Sequence, residues 1–203
     1  MEQKYRNQNC AVVALDDGGV MVGAQIAVQL HSVITLLQLE ELTLPREPKA
    51  IAGMTDGGSF VYNKEYTDAE IEELTGEYHG LIDEERVQKF HMLNSLSGAG
   101  GLINKKVLKH RKIILVSDGL DTVLKLDLAE EFLKPVEFES LIVAVPIATV
   151  PVIDKIHVMA DAIYCLSVTD DFLGTDHYYD NNDIPDHKEI VDTIKNIVSR
   201  WKK

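Results

Sequence analysis

The chain has 203 residues, enough for one large domain with a packed core and short for two. Hydrophobic residues make up 45% and charged residues 26%, an ordinary globular balance that argues against disorder. The formal net charge of −13 sets the surface as a whole against nucleic acid and anionic membranes, so neither is expected as a partner.

No apolar run approaches the ~20 residues needed to span a bilayer. The start, Met1–Arg6, lacks the apolar stretch of a secretory signal, so a cytoplasmic location is expected. Cys10 and Cys165 each stand alone in an apolar run and read as small buried thiols, not as a disulfide or a metal site. The basic cluster from Lys105 to Lys112 has no interleaved aromatics and reads as a solvated connector.

In chain order, Cys10–Leu15 is a short apolar run of small and branched residues, expected to be a buried strand. Asp16-Asp17-Gly18-Gly19 ends it, and Val20–Leu30 follows as a helix packed on the core. Ser32–Leu39 reads as a second strand, and Glu40–Lys49, with two prolines, as a loop. Ala50–Tyr62 reads as a hairpin turned by Asp56-Gly57-Gly58. Thr67-Asp68-Ala69-Glu70 has the capping-box pattern and opens a long helix to Asn94. Its Ile71, Leu74, Tyr78 and Leu81 recur at helical spacing, as core packing or a subunit contact would require. Gly76 and Gly80 weaken it by about 1 kcal/mol each against alanine unless they permit close packing. Ser95–Gly101 reads as a mobile connector or lid.

The second half alternates. Strands are expected at Lys112–Val116, Ser140–Pro146 and Ala162–Leu166, with helices at Thr122–Leu133, Val150–Met159 and Asp186–Lys202. Continuous apolar strands separated by helices imply an α/β domain with a largely parallel sheet covered on both faces. Residues 1–203 are expected to form one domain, with a small hairpin and a long helix inserted at about 50–100. In such sheets the ligand site lies beyond the carboxyl ends of the strands. That rule selects Asp16–Gly19, Glu40–Lys49, Ser117–Val123 and Ser167–Asp186. The histidines of the last segment, His177 and His187, have no compact ligand spacing and read as part of a solvated acidic loop.

Ser117-Asp118-Gly119-Leu120-Asp121-Thr122-Val123 carries the most chemistry. A buried strand delivers a polar turn with glycine, and a helix begins at once. Backbone N–H groups at such a start suit a phosphate, Asp118 suits sugar hydroxyls, and Thr122 can donate to a phosphate oxygen. An ordinary strand-to-helix turn with Thr122 as N-cap is the plainer alternative.

The run resembles the phosphoribosyl-pyrophosphate loop of type I phosphoribosyltransferases, an apolar strand followed by D-D-G-x-A-T-G. The resemblance extends to the predicted bacterial phosphoribosyltransferases of this family over nearly the whole chain, in order. Leu15-Asp-Asp-Gly-Gly-Val20 stands for their L-P-R-G-G-V, and Glu40–Gly53 for R-K-L-G-x-P-x-N-P-E-x-A-x-G. Leu141–Leu166 matches V-V-A-V-P…A-D-x-V-x-C-L, and Tyr179-Asp180 with the helix start at Asp186–Val191 matches the closing W-Y-x-D-F…S-D-x-E-V.

The resemblance implies a type I phosphoribosyltransferase-like fold and magnesium-dependent transfer of 5-phosphoribosyl to a nitrogen base. It places a phosphoribosyl or nucleotide-like ligand in the Ser117–Val123 loop, with Asp118 as the catalytic residue if the protein is active. Pyrophosphate and magnesium would lie near the first loop, Asp16-Asp17-Gly18-Gly19. The sequence departs at the anion-binding positions. The family's proline and arginine of the first loop are Asp16 and Asp17, and the arginine–lysine pair of the second is Glu40-Glu41. In the phosphate loop Ser117 replaces an aspartate, Asp121 an alanine and Val123 a glycine; Asp118, Gly119 and Thr122 survive.

A carboxylate ~4 Å from a phosphate costs about 1 kcal/mol per charge pair in water and about 4 at an effective dielectric near 20. The ordinary reaction is therefore expected to be lost or strongly altered. Two alternatives stay open. Asp17, Asp118 and Asp121, with Asp16, Glu40 and Glu41 near by, could converge on Mg2+ and sustain an altered transferase. The protein could instead be a scaffold, as a homo-oligomer or in complex with a paralogue, acting through Thr67–Asn94.

Overall fold

The structure is a computed structural model that describes residues 1–96 and 105–201. After a short helix α1 (Glu2–Tyr5) come β1 (Cys10–Ala14), α2 (Asp17–Leu30), β2 (Val33–Leu36), β3 (Leu39–Leu42), β4 (Ala52–Thr55) and β5 (Phe60–Tyr62). The long helix α3 (Asp68–Leu96) and a single turn α4 (Lys105–Leu108) precede β6 (Lys112–Val116), α5 (Val123–Leu133), β7 (Ser140–Thr149), α6 (Val150–Met159), β8 (Ala162–Thr169) and α7 (His187–Trp201).

Five strands form one parallel sheet in the order β2-β1-β6-β7-β8. Alternate residues along each strand feed opposite faces. Val13, Ile113, Leu115 and Val143 join Phe132, Val152 and Ile156 beneath α5 and α6. Val12, Ala14, Ile114 and Ile142 join Val20, Ala27, Ile190 and Ile197 beneath α2 and α7. Each central strand is buried on both sides, which explains its unbroken apolar sequence. This is the fold class expected from the sequence: a largely parallel α/β sheet, with a small antiparallel unit and a long helix added.

That unit is larger than the expected hairpin. Glu40–Lys49 is not all loop: Leu39–Leu42 is β3, paired antiparallel with β4, which pairs in turn with β5. An isolated reading of Leu39-Glu-Glu-Leu42 misses this, because the strand is fixed by its partner's register. Glu40 and Glu41 therefore sit on a strand. The turn at Gly58 has φ of +81°, as the hairpin reading required.

The strand read at Ser32–Leu39 shortens to Val33–Leu36, while some other bounds move outward. The helix after the first turn begins at Asp17, because the Asp16 carboxylate accepts the Gly19 N–H at 2.5 Å and caps it. β7 runs past Pro146 to Thr149; one ladder bond is lost at the proline, but Val145 and Ile147 remain in register with Cys165 and Ser167. β8 runs to Thr169. Cys10 is buried as expected, whereas Cys165 is only half-buried.

α3 starts at the capping box: the Thr67 N–H donates to Glu70 at 2.7 Å, and the Glu70 N–H to Thr67 Oγ1 at 3.3 Å. Ile71, Leu74, Tyr78 and Leu81 pack on the cluster formed by Leu42 and Met54 of the small sheet and Ile51 just before β4. The helix departs from helical geometry at Tyr78. A Cβ built at Gly76 or Gly80 would meet nothing within 4 Å, so neither glycine serves close packing. Most of the segment Ser95–Gly101 lies outside the described residues. Leu124 and Leu128 of α5, packed against Ala50 with Leu39 and Val61, fasten the small sheet to the domain. Among the described residues no helix is long and apolar enough to cross a membrane.

Candidate functional site

The turn Ser117–Val123 leaves the carboxyl end of β6 beside the start of α2, because β1 and β6 are neighbours in the sheet. Ser117 is fully buried. Its hydroxyl donates to Asp16 Oδ2 at 2.6 Å and accepts the Gly119 N–H at 3.2 Å, tying the two loops together. Leu120 is buried and exchanges backbone bonds with Ile147 and Thr149, so the turn is anchored to β7 as well. Val123, the first residue of α5, packs against the core.

A cleft of 400 Å³ opens above this turn, lined by Asp16, Asp17, Gly18, Asp118, Gly119 and Asp121 together with Lys125, Phe172, Thr175 and Ile184. The structure thus brings the first loop, the Ser117–Val123 loop and the segment after β8 around one space. Glu40 and Glu41 are not in its lining. Glu40 pairs with Lys89 of α3 at 3.1 Å. Glu41 accepts the Thr122 hydroxyl at 3.1 Å, so Thr122 holds the N-cap position of α5 but turns its side chain to the small sheet.

Asp118 is 8% exposed, and its carboxyl lies directly over the first loop: a Cβ built at Gly18 would come within 2.0 Å of Asp118 Oδ2. Burial, and after it the negative charge of Asp16, pushes the Asp118 carboxyl up to about 6. Asp121 carries an ion pair with Lys125 at 2.8 Å, one turn on along α5. Burial lowers the Lys125 ammonium, but the charge of Asp121 and then of Asp16 and Glu41 outweighs it and holds the group above its usual value.

The segment after β8 forms a roof. A Cβ at Gly119 would come within 2.8 Å of the Phe172 ring and 3.1 Å of Thr175 Cγ2, so any other residue there would have to displace them. Tyr179 donates its hydroxyl to the Asp118 carbonyl at 2.7 Å; burial, then Asp118 and Asp16, pushes that phenol up to about 12. His187, expected in a solvated loop, is instead part-buried between Asp17, with Nδ1 at 3.2 Å from the carboxylate, and Gln38, with Nε2 at 3.1 Å. Lys125, Phe172 and Ile184 belong to no motif of the sequence, although Asp121 and Lys125 stand four apart at a helix start, the spacing of an ion pair. Tyr179 and His187 lie in the closing stretch that carries the family resemblance, but no role is expected of either.

The alternative left open by the sequence, a Mg2+ site at Asp17, Asp118 and Asp121, gains no support from the geometry. Among the described residues no three His, Cys, Asp or Glu side chains are grouped to hold a metal. Asp121 is engaged by Lys125, Asp17 by His187, and both oxygens of Asp16 by Gly19 and Ser117.

Among solved structures, TT1426 from Thermus thermophilus is 20% identical, covering 97% of this chain and 89% of its own, with a TM-score of 0.65. The chain has the fold of TT1426. A hypoxanthine phosphoribosyltransferase from Staphylococcus aureus matches at 12% identity over 84% of this chain and 67% of its own, with a TM-score of 0.46. An adenine phosphoribosyltransferase from Trypanosoma brucei matches at 12% over 93% and 71%, with a TM-score of 0.45. No protein-family model and no curated protein matches the sequence.

Proposed function

We propose that this is a phosphoribosyltransferase-like protein that no longer transfers phosphoribosyl groups and keeps the cleft for a ligand that is not an anion. The reading rests on the sequence resemblance, carried by the loop Ser117–Val123, and on one observation about the cleft. The Asp118 carboxyl occupies the space above Gly18, and Asp121 and Lys125 neutralise each other where a phosphate would be cradled. A phosphate entering there would meet Asp16, Asp17 and Asp118, and its one cation, Lys125, would have to leave Asp121. At ~4 Å, each uncompensated acid opposes it by about 1–4 kcal/mol, depending on solvent access. At the upper figure, which applies away from bulk water, two such acids outweigh the gain from a typical charge-assisted hydrogen bond of about 1.5–3 kcal/mol.

The test is thermal unfolding in the presence of phosphoribosyl pyrophosphate with Mg2+. Binding to the native state raises stability by RT ln(1 + [L]/Kd), about 2.7 kcal/mol at a hundredfold excess over Kd. No shift is expected up to millimolar ligand. Saturable stabilisation at micromolar ligand, or pyrophosphate release with a panel of bases, refutes the proposal.

A further inference from the structure

We infer that the cleft at the Ser117–Val123 loop binds an organic cation, an ammonium or guanidinium group carried on an apolar body. The inference rests on the reading above and names the ligand class of the same site.

Four carboxyl groups, Asp16, Asp17, Asp118 and Asp121, border this space against a single lysine. Three of the four are already met by groups of the protein itself: Asp16 by Gly19 and Ser117, Asp17 by His187, Asp121 by Lys125. Asp118 differs. It is more than nine-tenths buried, borders the cleft, and among the described residues no side-chain cation is paired with it; the side chain it meets is another acid, Asp16. Its elevated proton affinity has the same origin, since a proton is the cation the site takes when none other is bound. Lys125, the cation whose charge reaches Asp118, is already bound to Asp121, so ionised Asp118 is buried short of counter-charge and a cation placed against it gains by completing the pair.

The walls decide the kind of cation. Phe172 and Ile184 give the cleft an aromatic and an aliphatic side. An aromatic face attracts an organic cation and an apolar wall takes up its carbon body. A hard divalent ion would need six or more oxygens around one point, and the carboxylates here are spread and engaged. A volume of 400 Å³ suits a small molecule and is far too little for a folded partner. Tyr179 and His187 face the same acids from the roof and from α7, so the cation would lie under the segment after β8.

Calorimetric titration of the full chain at pH 7.5 with benzylamine, agmatine and spermidine tests this, with benzyl alcohol, benzoate and Mg2+ alone as controls. At least one amine is expected to saturate, none of the controls to do so, and Asp118→Asn to weaken the amine tenfold or more. Phe172→Leu, which leaves every charge in place, should weaken benzylamine more than spermidine. Absence of saturation by all three amines, equal binding of benzyl alcohol and benzylamine, or full affinity in Asp118→Asn would each overturn the inference. Phosphoribosyl pyrophosphate separates the two levels. If it binds, the reading of the protein fails; if neither it nor any amine binds, only the ligand class fails.

Discussion

Asp118 is a carboxylic acid held out of water beside a second acid, and its protonation is tied to folding. Its ordinary value is 3.8 and the fold raises it to about 6, so the native state binds a proton more tightly than the unfolded chain does. The stabilising contribution is complete below the unfolded value and is lost as pH rises through about 6. Two units correspond to at most about 3 kcal/mol. Asp118→Asn, which keeps the shape and removes the charge, should therefore be more stable than the parent at pH 7.5 by about 1–3 kcal/mol and nearly equal to it at pH 4. Denaturant melts of the pair between pH 4 and 7.5 read the difference directly; parallel profiles would show that Asp118 titrates normally. The charged and titratable groups around it are Asp16 and Asp17 at the start of α2, Asp121 and Lys125 at the start of α5, and Tyr179 above; Asp16 raises its proton affinity and Lys125 lowers it. The location of this acid was legible in the sequence, because an apolar strand, a polar turn and a helix start are local signals. The turning of Thr122 toward Glu41 was not legible, and the spacing of Asp121 and Lys125 hinted at an ion pair without placing it in the cleft. A lysine on the first turn of a helix looks like any surface lysine until the neighbouring strands close around it.

At the level of elements, α3 shows where local preference and packing part company. Its capping box and its stripe of Ile71, Leu74, Tyr78 and Leu81 were readable at once, and they form the contacts that the spacing demanded. Gly76 and Gly80 flank the departure from helical geometry at Tyr78, and open space surrounds both. Neither has the positive φ that would exclude a side chain. Gly76→Ala and Gly80→Ala should each stabilise the protein by about 0.5–1 kcal/mol, through lower unfolded-state entropy and better helix propensity. Equilibrium unfolding in urea measures it, and a loss of stability in either variant would mean that the bend itself is required. β3 teaches the converse lesson. Leu39-Glu-Glu-Leu42 carries no strong strand signal, and only pairing with β4 makes it one, while Glu40 and Glu41 find Lys89 and Thr122 as partners. Acids that looked like part of an anion-repelling loop are structural ties of the small sheet.

For the whole molecule, the order β2-β1-β6-β7-β8 sets the first loop and the Ser117–Val123 loop side by side, and this much follows from alternating apolar strands and helices. The roof does not. Phe172 and Ile184 lie in a polar stretch without periodicity, and their place over Gly119 depends on how the chain returns from β8 to α7. Phe172 and Thr175 stand against Gly119 and Tyr179 is fastened to the Asp118 carbonyl, so one flank of an open cleft is held by a segment with no strand or long helix of its own. Tyr179→Phe, which removes one fastening and leaves the acids untouched, should speed amide exchange between β8 and α7 while the central strands stay protected. Hydrogen–deuterium exchange reads this segment by segment, and unchanged protection would show that the tie does not hold the flank in place.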